Sequence, residues 1–137
     1  MTSVKIFLFY LFKRRIGKRN RKMLSIIILT YNRALQLFRC LDELYKRETV
    51  DFEVIVIDNG STDDTGESLK LRQFKNLKVI LNTDRTNFAH ARQVGVKNSC
   101  GDKIAFIDDD CVPDANWLTR IDKALDEYDA VGGLALP

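Results

Sequence analysis

The chain has 137 residues, 45% of them apolar and 30% charged, with seven glycines and three cysteines. That is length enough for one domain with its own core, and the composition is that of a globular protein, with no internal repeat and no low-complexity segment. The net charge of +3 hides an asymmetry: residues 1–23 carry eight Lys/Arg and no acid, which leaves 14 basic against 19 acidic residues, a balance of −5, in the rest.

Residues 6–12, Ile-Phe-Leu-Phe-Tyr-Leu-Phe, are uninterruptedly apolar. A membrane-spanning helix needs ~20 such residues, so this run does not span. Lys13, Arg14, Arg15, Lys18, Arg19, Arg21 and Lys22 follow it, whereas a signal peptide puts its charges first. Two readings stay open. The segment lies on an anionic membrane surface, where each basic residue contributes ~1 kcal/mol, or it is a disordered basic tail without a partner. Nucleic acid is not an expected partner, because the acidic body does not continue the basic patch.

From Leu24 the pattern turns regular. Leu24–Thr30 reads as a buried strand, and Arg33–Arg47 as a helix with Leu37, Leu41, Leu44 and Tyr45 on one face and Asn32 as its cap. Phe52–Asp58 is a second strand, followed by a turn at Asn59–Asp64 and a short helix near 64–74. Leu77–Asn82 is a third strand, 88–99 a helix, and Ile104–Asp108 a fourth strand. Pro113 and Asp114 open a helix through Tyr128, and Ala130–Leu136 begins another strand. Alternating strands and helices imply right-handed crossovers and a mainly parallel α/β sheet flanked by helices. In such a sheet the strands point one way, so Thr30, Asp58 and Asp108–Asp110 emerge at one edge.

Ligands of open α/β sheets bind beyond the carboxyl ends of the strands. Three consecutive aspartates there repel one another unless a cation sits among them, and hard oxygen donors select Mg2+, Mn2+ or Ca2+. The alternative is a solvated acidic turn leading into the next helix. Thr30, Tyr31, Asn32 and Arg33 offer a hydroxyl, a ring and amide groups; Asp58 and Asn59 can read a base edge or ribose hydroxyls. Neither a GxGxxG nor a GKS/T loop is present, so arginine and metal have to neutralise any phosphate. Arg85 and Arg92 lie upstream of the aspartates; a guanidinium suits a diphosphate, with a surface ion pair as the other reading of Arg92. His90, the single histidine, reads as a polar helix position. Cys40, Cys100 and Cys111 have neither CxxC spacing nor an even count, so no disulfide framework or zinc site is indicated and a reducing, cytoplasmic setting fits. Cys111 is a poor ligand for Mg2+ or Mn2+ and reads as packing.

The residues Ser25–Arg33, Val56–Asp63, Ala89–Gly95 and Ala105–Pro113 together resemble a family 2 glycosyltransferase with the Rossmann-like GT-A fold, over Leu24–Pro137. The resemblance implies a nucleotide-sugar donor held by Thr30, Tyr31, Asn32, Asp58, Asn59, Arg92, Asp108 and Asp109. It also implies a divalent metal, Mg2+ or Mn2+, at Asp110 with Asp108, and transfer of the sugar to a hydroxyl of a carbohydrate or lipid-linked acceptor. Asn59 stands where many relatives have a second aspartate, and Gln93 departs mildly from the usual asparagine. The family's acceptor site and catalytic base lie beyond Pro137, so a domain truncated at its C-terminus is expected: residues 1–23 an extension, 24–137 the nucleotide-sugar-binding part. The competing readings are a non-catalytic nucleotide-binding or membrane-associated fragment, and a haloacid-dehalogenase-like phosphatase, whose DxDx(T/V) pattern Asp108–Val112 also fits. Localisation in the cytoplasm, peripheral to the inner face of the membrane, follows from the basic segment.

Overall fold

The computed structural model describes residues 11–13, 21–46, 50–83 and 87–133. Leu24, Ile26 and Ile28 of strand β2 (Arg21–Thr30) pack on one side of the sheet and Ile27 on the other, all fully buried. A strand buried on both faces belongs in the middle of a parallel sheet. It is flanked there by β3 (Phe52–Asp58), buried throughout, and β5 (Gly101–Asp108), both parallel to it. Strand β4 (Leu77–Leu81) extends the sheet beside β3. On the far side a short β1 (Leu11–Lys13) runs antiparallel to β5, and the two-residue β6 (Ala130–Val131) pairs with β1, giving the order β4-β3-β2-β5-β1-β6. The fold is α/β and GT-A-like, with four parallel strands at its centre.

Helices α1 (Ala34–Tyr45) and α4 (Trp117–Glu127), with Leu69 of α2 (Thr65–Leu71), cover one face. The other face is packed by α3 (Phe88–Lys97) through Ala91 and Gly95. Small residues are required there: a Cβ on Gly95 would sit 2.6 Å from Ile27 Cγ2. Chain direction explains the division. From β2 the chain steps outward to β3 and β4, then returns across β2 to β5, and right-handed crossovers put the returning helix on the opposite face. The strand order therefore reverses between β2 and β5, which is where α/β sheets open a crevice.

Several boundaries differ from the sequence reading. β2 starts at Arg21 rather than Leu24, and β5 at Gly101 rather than Ile104, because the two pair from Arg21↔Gly101 onward and Ser25 Oγ accepts the Gly101 N–H at 2.9 Å. Asn32 does not cap α1; Arg33 occupies that position without a side-chain capping bond. Residues 113–116 precede α4 as a turn, in which Asp114 Oδ1 accepts the Asn116 N–H at 2.8 Å. Arg85, Arg47, residues 1–10 and 14–20, and residues 134–137 of the expected last strand lie outside the described residues.

Candidate functional site

Register brings the polar strand ends level. Thr30 is paired with Asp58, and Leu29 with Asp108. Beyond them a cleft of about 540 Å3 is lined by Leu29, Thr30, Tyr31, Arg33, Asn59, Phe88, Arg92 and Asp108–Asp110. Thr30, Tyr31, Asn59, Arg92 and the three aspartates, named from the sequence, are thus brought together. Asn32 and Asp58 do not line the cleft.

The three aspartates sit in different surroundings. Asp109 is 5% exposed. Its Oδ2 accepts a 2.8 Å hydrogen bond from Thr30 Oγ1, and Arg33 Nη1 reaches its Oδ1 at 3.3 Å. Burial raises its pKa, and Thr30 and the guanidinium offset that only in part, so the net direction is upward. Asp108 is half-buried and Asp110 exposed; Arg33 Nη1 also reaches Asp110 Oδ2 at 3.4 Å. Burial, with the neighbouring aspartates, pushes the Cys111 thiol up to about 11, so it stays protonated and packs against the core as expected. Cys40, Cys100 and Cys111 are free thiols. Among the described residues no three His, Cys, Asp or Glu side chains come together as a metal cage.

Asp58 and Asn32 work behind the cleft. Asp58, 4% exposed, accepts the Ser61 N–H at 2.8 Å and closes the turn that Gly60 permits with φ 79°. Asn59 N–H donates to Thr30 O at 2.9 Å, and Asn82 Nδ2 donates to Asn59 Oδ1 at 2.7 Å, which orients the amide bordering the cleft. Asn32, at φ 50°, joins the loop after β2 to the loop after β3. Its N–H donates to Ser61 Oγ, and its Oδ1 accepts from the N–H groups of Thr62 and Asp63. The exposed His90 contributes its backbone N–H to Asn87 Oδ1, the cap of α3, and does not border the cleft. Sequence reasoning passed over Phe88, the first residue of α3, which is 61% exposed and borders the cleft. Arg33, directly after β2, sets its guanidinium against Asp109 and Asp110; the sequence signal for this is a cation directly after a strand whose end converges with three carboxylates.

A parallel sheet with a polar cleft at its switch point defines an α/β class that takes its ligands beyond the carboxyl ends of the strands. The comparisons are more specific. The sequence model of "Glycosyl transferase family 2" matches residues 25–135, so the chain belongs to that family. Glycosyltransferase AglE of Haloferax volcanii is 36% identical over 102 residues, covering 70% of this chain and 33% of its own. The solved structure of S. aureus TarS 1–349 in complex with UDP-GlcNAc matches with a TM-score of 0.69 at 31% identity, over 78% of this chain and 32% of that one. The mannosyltransferase PcManGT from Pyrobaculum calidifontis, in complex with GDP-Man and Mn2+, matches with a TM-score of 0.64 at 25% identity, over 74% of this chain and 31% of that one. The chain spans about a third of the length of these relatives. The match places Asp108–Asp110 inside the glycosyltransferase family and removes the ground for the phosphatase reading.

Proposed function

We propose that the cleft binds a nucleotide-sugar and that this chain supplies the donor-binding part of a glycosyltransferase, which moves the sugar to an acceptor hydroxyl. The observation that carries the reading is the convergence of Thr30, Tyr31, Asn59, Arg92 and Asp108–Asp110 on one cleft at the strand-order reversal. The nucleotide-sugars named with the solved relatives support it.

In this reading Tyr31 and Asn59 hold the nucleoside, and Arg92 pairs with the diphosphate. Asp109 stays beneath the site, and Asp58 and Asn32 shape its loops. Asp108 and Asp110 fit a Mg2+ or Mn2+ ion: such ions are commonly held by one or two carboxylates plus substrate phosphates rather than by an all-protein cage. When bound, the metal neutralises the diphosphate leaving group as a Lewis acid. No residue here is assigned as the base. The acceptor is a carbohydrate or lipid-linked hydroxyl in the building of envelope polysaccharide. The basic run between Lys13 and Lys22 brings the domain to the anionic inner face of the membrane; it is not wholly an extension, since Leu11–Lys13 and the start of β2 at Arg21 are part of the sheet. No helix among the described residues is long and apolar enough to cross a membrane.

Calorimetric titration of UDP and GDP, with Mg2+ or Mn2+ and with chelator, tests the site. Binding is expected only with metal and is expected to vanish in Asp110→Ala. Tight binding in chelator, or a normally binding Asp110→Ala chain, overturns the metal assignment. Sugar release from a nucleotide-sugar separates transfer from binding alone.

A further inference from the structure

The Arg33 guanidinium lies against the aspartates that follow β5. Arg33 Nη1 lies 3.3 Å from Asp109 Oδ1 and 3.4 Å from Asp110 Oδ2, and its side chain is 50% exposed. Both contacts are long and both use the same nitrogen. Strong Arg–carboxylate pairs are short and two-pronged; a half-exposed, single-nitrogen bridge belongs to the class that contributes little to stability. The two carboxylates differ in what holds them. Asp109 is buried and has, besides Arg33, the 2.8 Å bond from Thr30 Oγ1. Asp110 is the exposed member, open to the cleft that Arg33 also lines.

We propose that Arg33 is an internal counter-cation: it bridges Asp109 and Asp110 in the metal-free protein, and a divalent cation entering at Asp110 takes its place there. The inference rests on the reading of Asp110 as a metal ligand. Its physics is competition. A guanidinium and a divalent ion on one carboxylate repel each other across a few ångströms, so each weakens the other's hold. The bridge is loose enough to yield, and it screens the repulsion between neighbouring aspartates until it does. A released Arg33 remains beside the cleft, where an arriving diphosphate offers it a two-pronged partner. Its effects on metal and on nucleotide are therefore opposite in sign.

Titration of Mn2+ alone into the full chain, with free Mn2+ read by electron paramagnetic resonance, tests this in wild type, Arg33→Gln and Arg33→Lys. Arg33→Gln is expected to bind Mn2+ roughly three- to tenfold more tightly than wild type, with Arg33→Lys close to wild type. At saturating Mn2+, Arg33→Gln is expected to bind UDP more weakly than wild type. A merely structural Arg33 would weaken both. Arg33→Gln binding Mn2+ no better than wild type overturns the inference while leaving the metal reading intact. If neither protein binds Mn2+, with or without UDP, the metal reading fails and this inference falls with it. An Asp110→Ala chain that holds Mn2+ as wild type does overturns both.

Discussion

Thr30 and Asp109, 79 positions apart, are joined by a 2.8 Å hydrogen bond from Oγ1 to Oδ2 in a buried setting. The bond joins the ends of β2 and β5, the parallel strands between which the strand order reverses, and both residues line the cleft there. Thr30→Val keeps the shape and removes the donor. Leaving the buried carboxylate short of a partner is expected to cost about 1–3 kcal/mol in urea unfolding at neutral pH. The deficit is expected to shrink as pH falls through the carboxylate range. The raised pKa of Asp109 means its charge is disfavoured in the fold, so a protonated Asp109 has less need of Thr30. In a double-mutant cycle, Thr30→Val with Asp109→Asn should lose less than the sum of the two changes. Additive losses would show that the pair is not coupled.

Lys103 gives the alkaline counterpart. Its side chain is 7% exposed, and Nζ lies 2.7 Å from Asp122 Oδ1 and 2.9 Å from Asp126 Oδ1, pinning α4 to β5. Burial works to lower its pKa, but the bonds and charges of Asp122 and Asp126 outweigh it, so the net direction is upward from 10.5. A cation with a raised folded pKa contributes stability that is fully present below its unfolded value and is lost as pH rises through the folded value. Stability should therefore fall above about pH 10.5, and Lys103→Met should flatten that limb. At neutral pH the substitution should cost less than the ~3–5 kcal/mol of breaking a fully buried pair, because Asp126, 65% exposed, stays solvated when its partner goes. Unfolding followed against pH in both proteins checks it.

Much of this architecture was legible because periodicity reports burial. Ile26-Ile27-Ile28 and Val54-Ile55-Val56-Ile57 have no polar position to give up to solvent, so they read as central strands and are. Once the strands are parallel, the meeting of Thr30, Asn59 and Asp108–Asp110 follows from topology alone. What was not legible depends on which way a polar side chain turns. Asp58 and Asn32 carry the same chemistry as the cleft residues, yet Oδ1 of each accepts a backbone N–H of the neighbouring turn. Sequence distinguishes a carboxylate facing a ligand from one facing a backbone amide only through tertiary geometry. The starts of β2 and β5 were missed for a similar reason: Gly101-Asp102-Lys103 has no apolar alternation, and its strand character comes from pairing with β2.

Gly95 tests the face packed by α3. In a helix, Gly→Ala gains up to ~1 kcal/mol of propensity. Here the added Cβ meets Ile27 Cγ2 at 2.6 Å, on a strand that is fixed on both sides. Overpacking of this kind costs about 1–3 kcal/mol, which exceeds the propensity gain. Gly95→Ala is expected to be net destabilising by urea unfolding; a stabilised protein would mean that α3 can lift from the sheet at little cost.

Asn32 does two jobs, and two substitutions separate them. Its φ of 50° lies in the left-handed region, where asparagine is tolerated and alanine costs roughly 1–2 kcal/mol. Its Oδ1 also accepts the Thr62 N–H at 2.7 Å and the Asp63 N–H at 3.3 Å, tying the loop that carries Tyr31 to the turn that carries Asn59. Asn32→Gly keeps the backbone and loses the tie; Asn32→Ala loses both. Stability should fall in the order wild type, Asn32→Gly, Asn32→Ala, and the gap between the two variants measures the backbone term. Because Asn32 does not border the cleft, any change in ligand affinity must come through the position of the two loops. Both variants should therefore bind a nucleoside diphosphate more weakly by similar factors, since both cut the same tie. Calorimetry with UDP beside urea unfolding decides it: an unchanged affinity in Asn32→Gly would confine Asn32 to stability and detach it from the site.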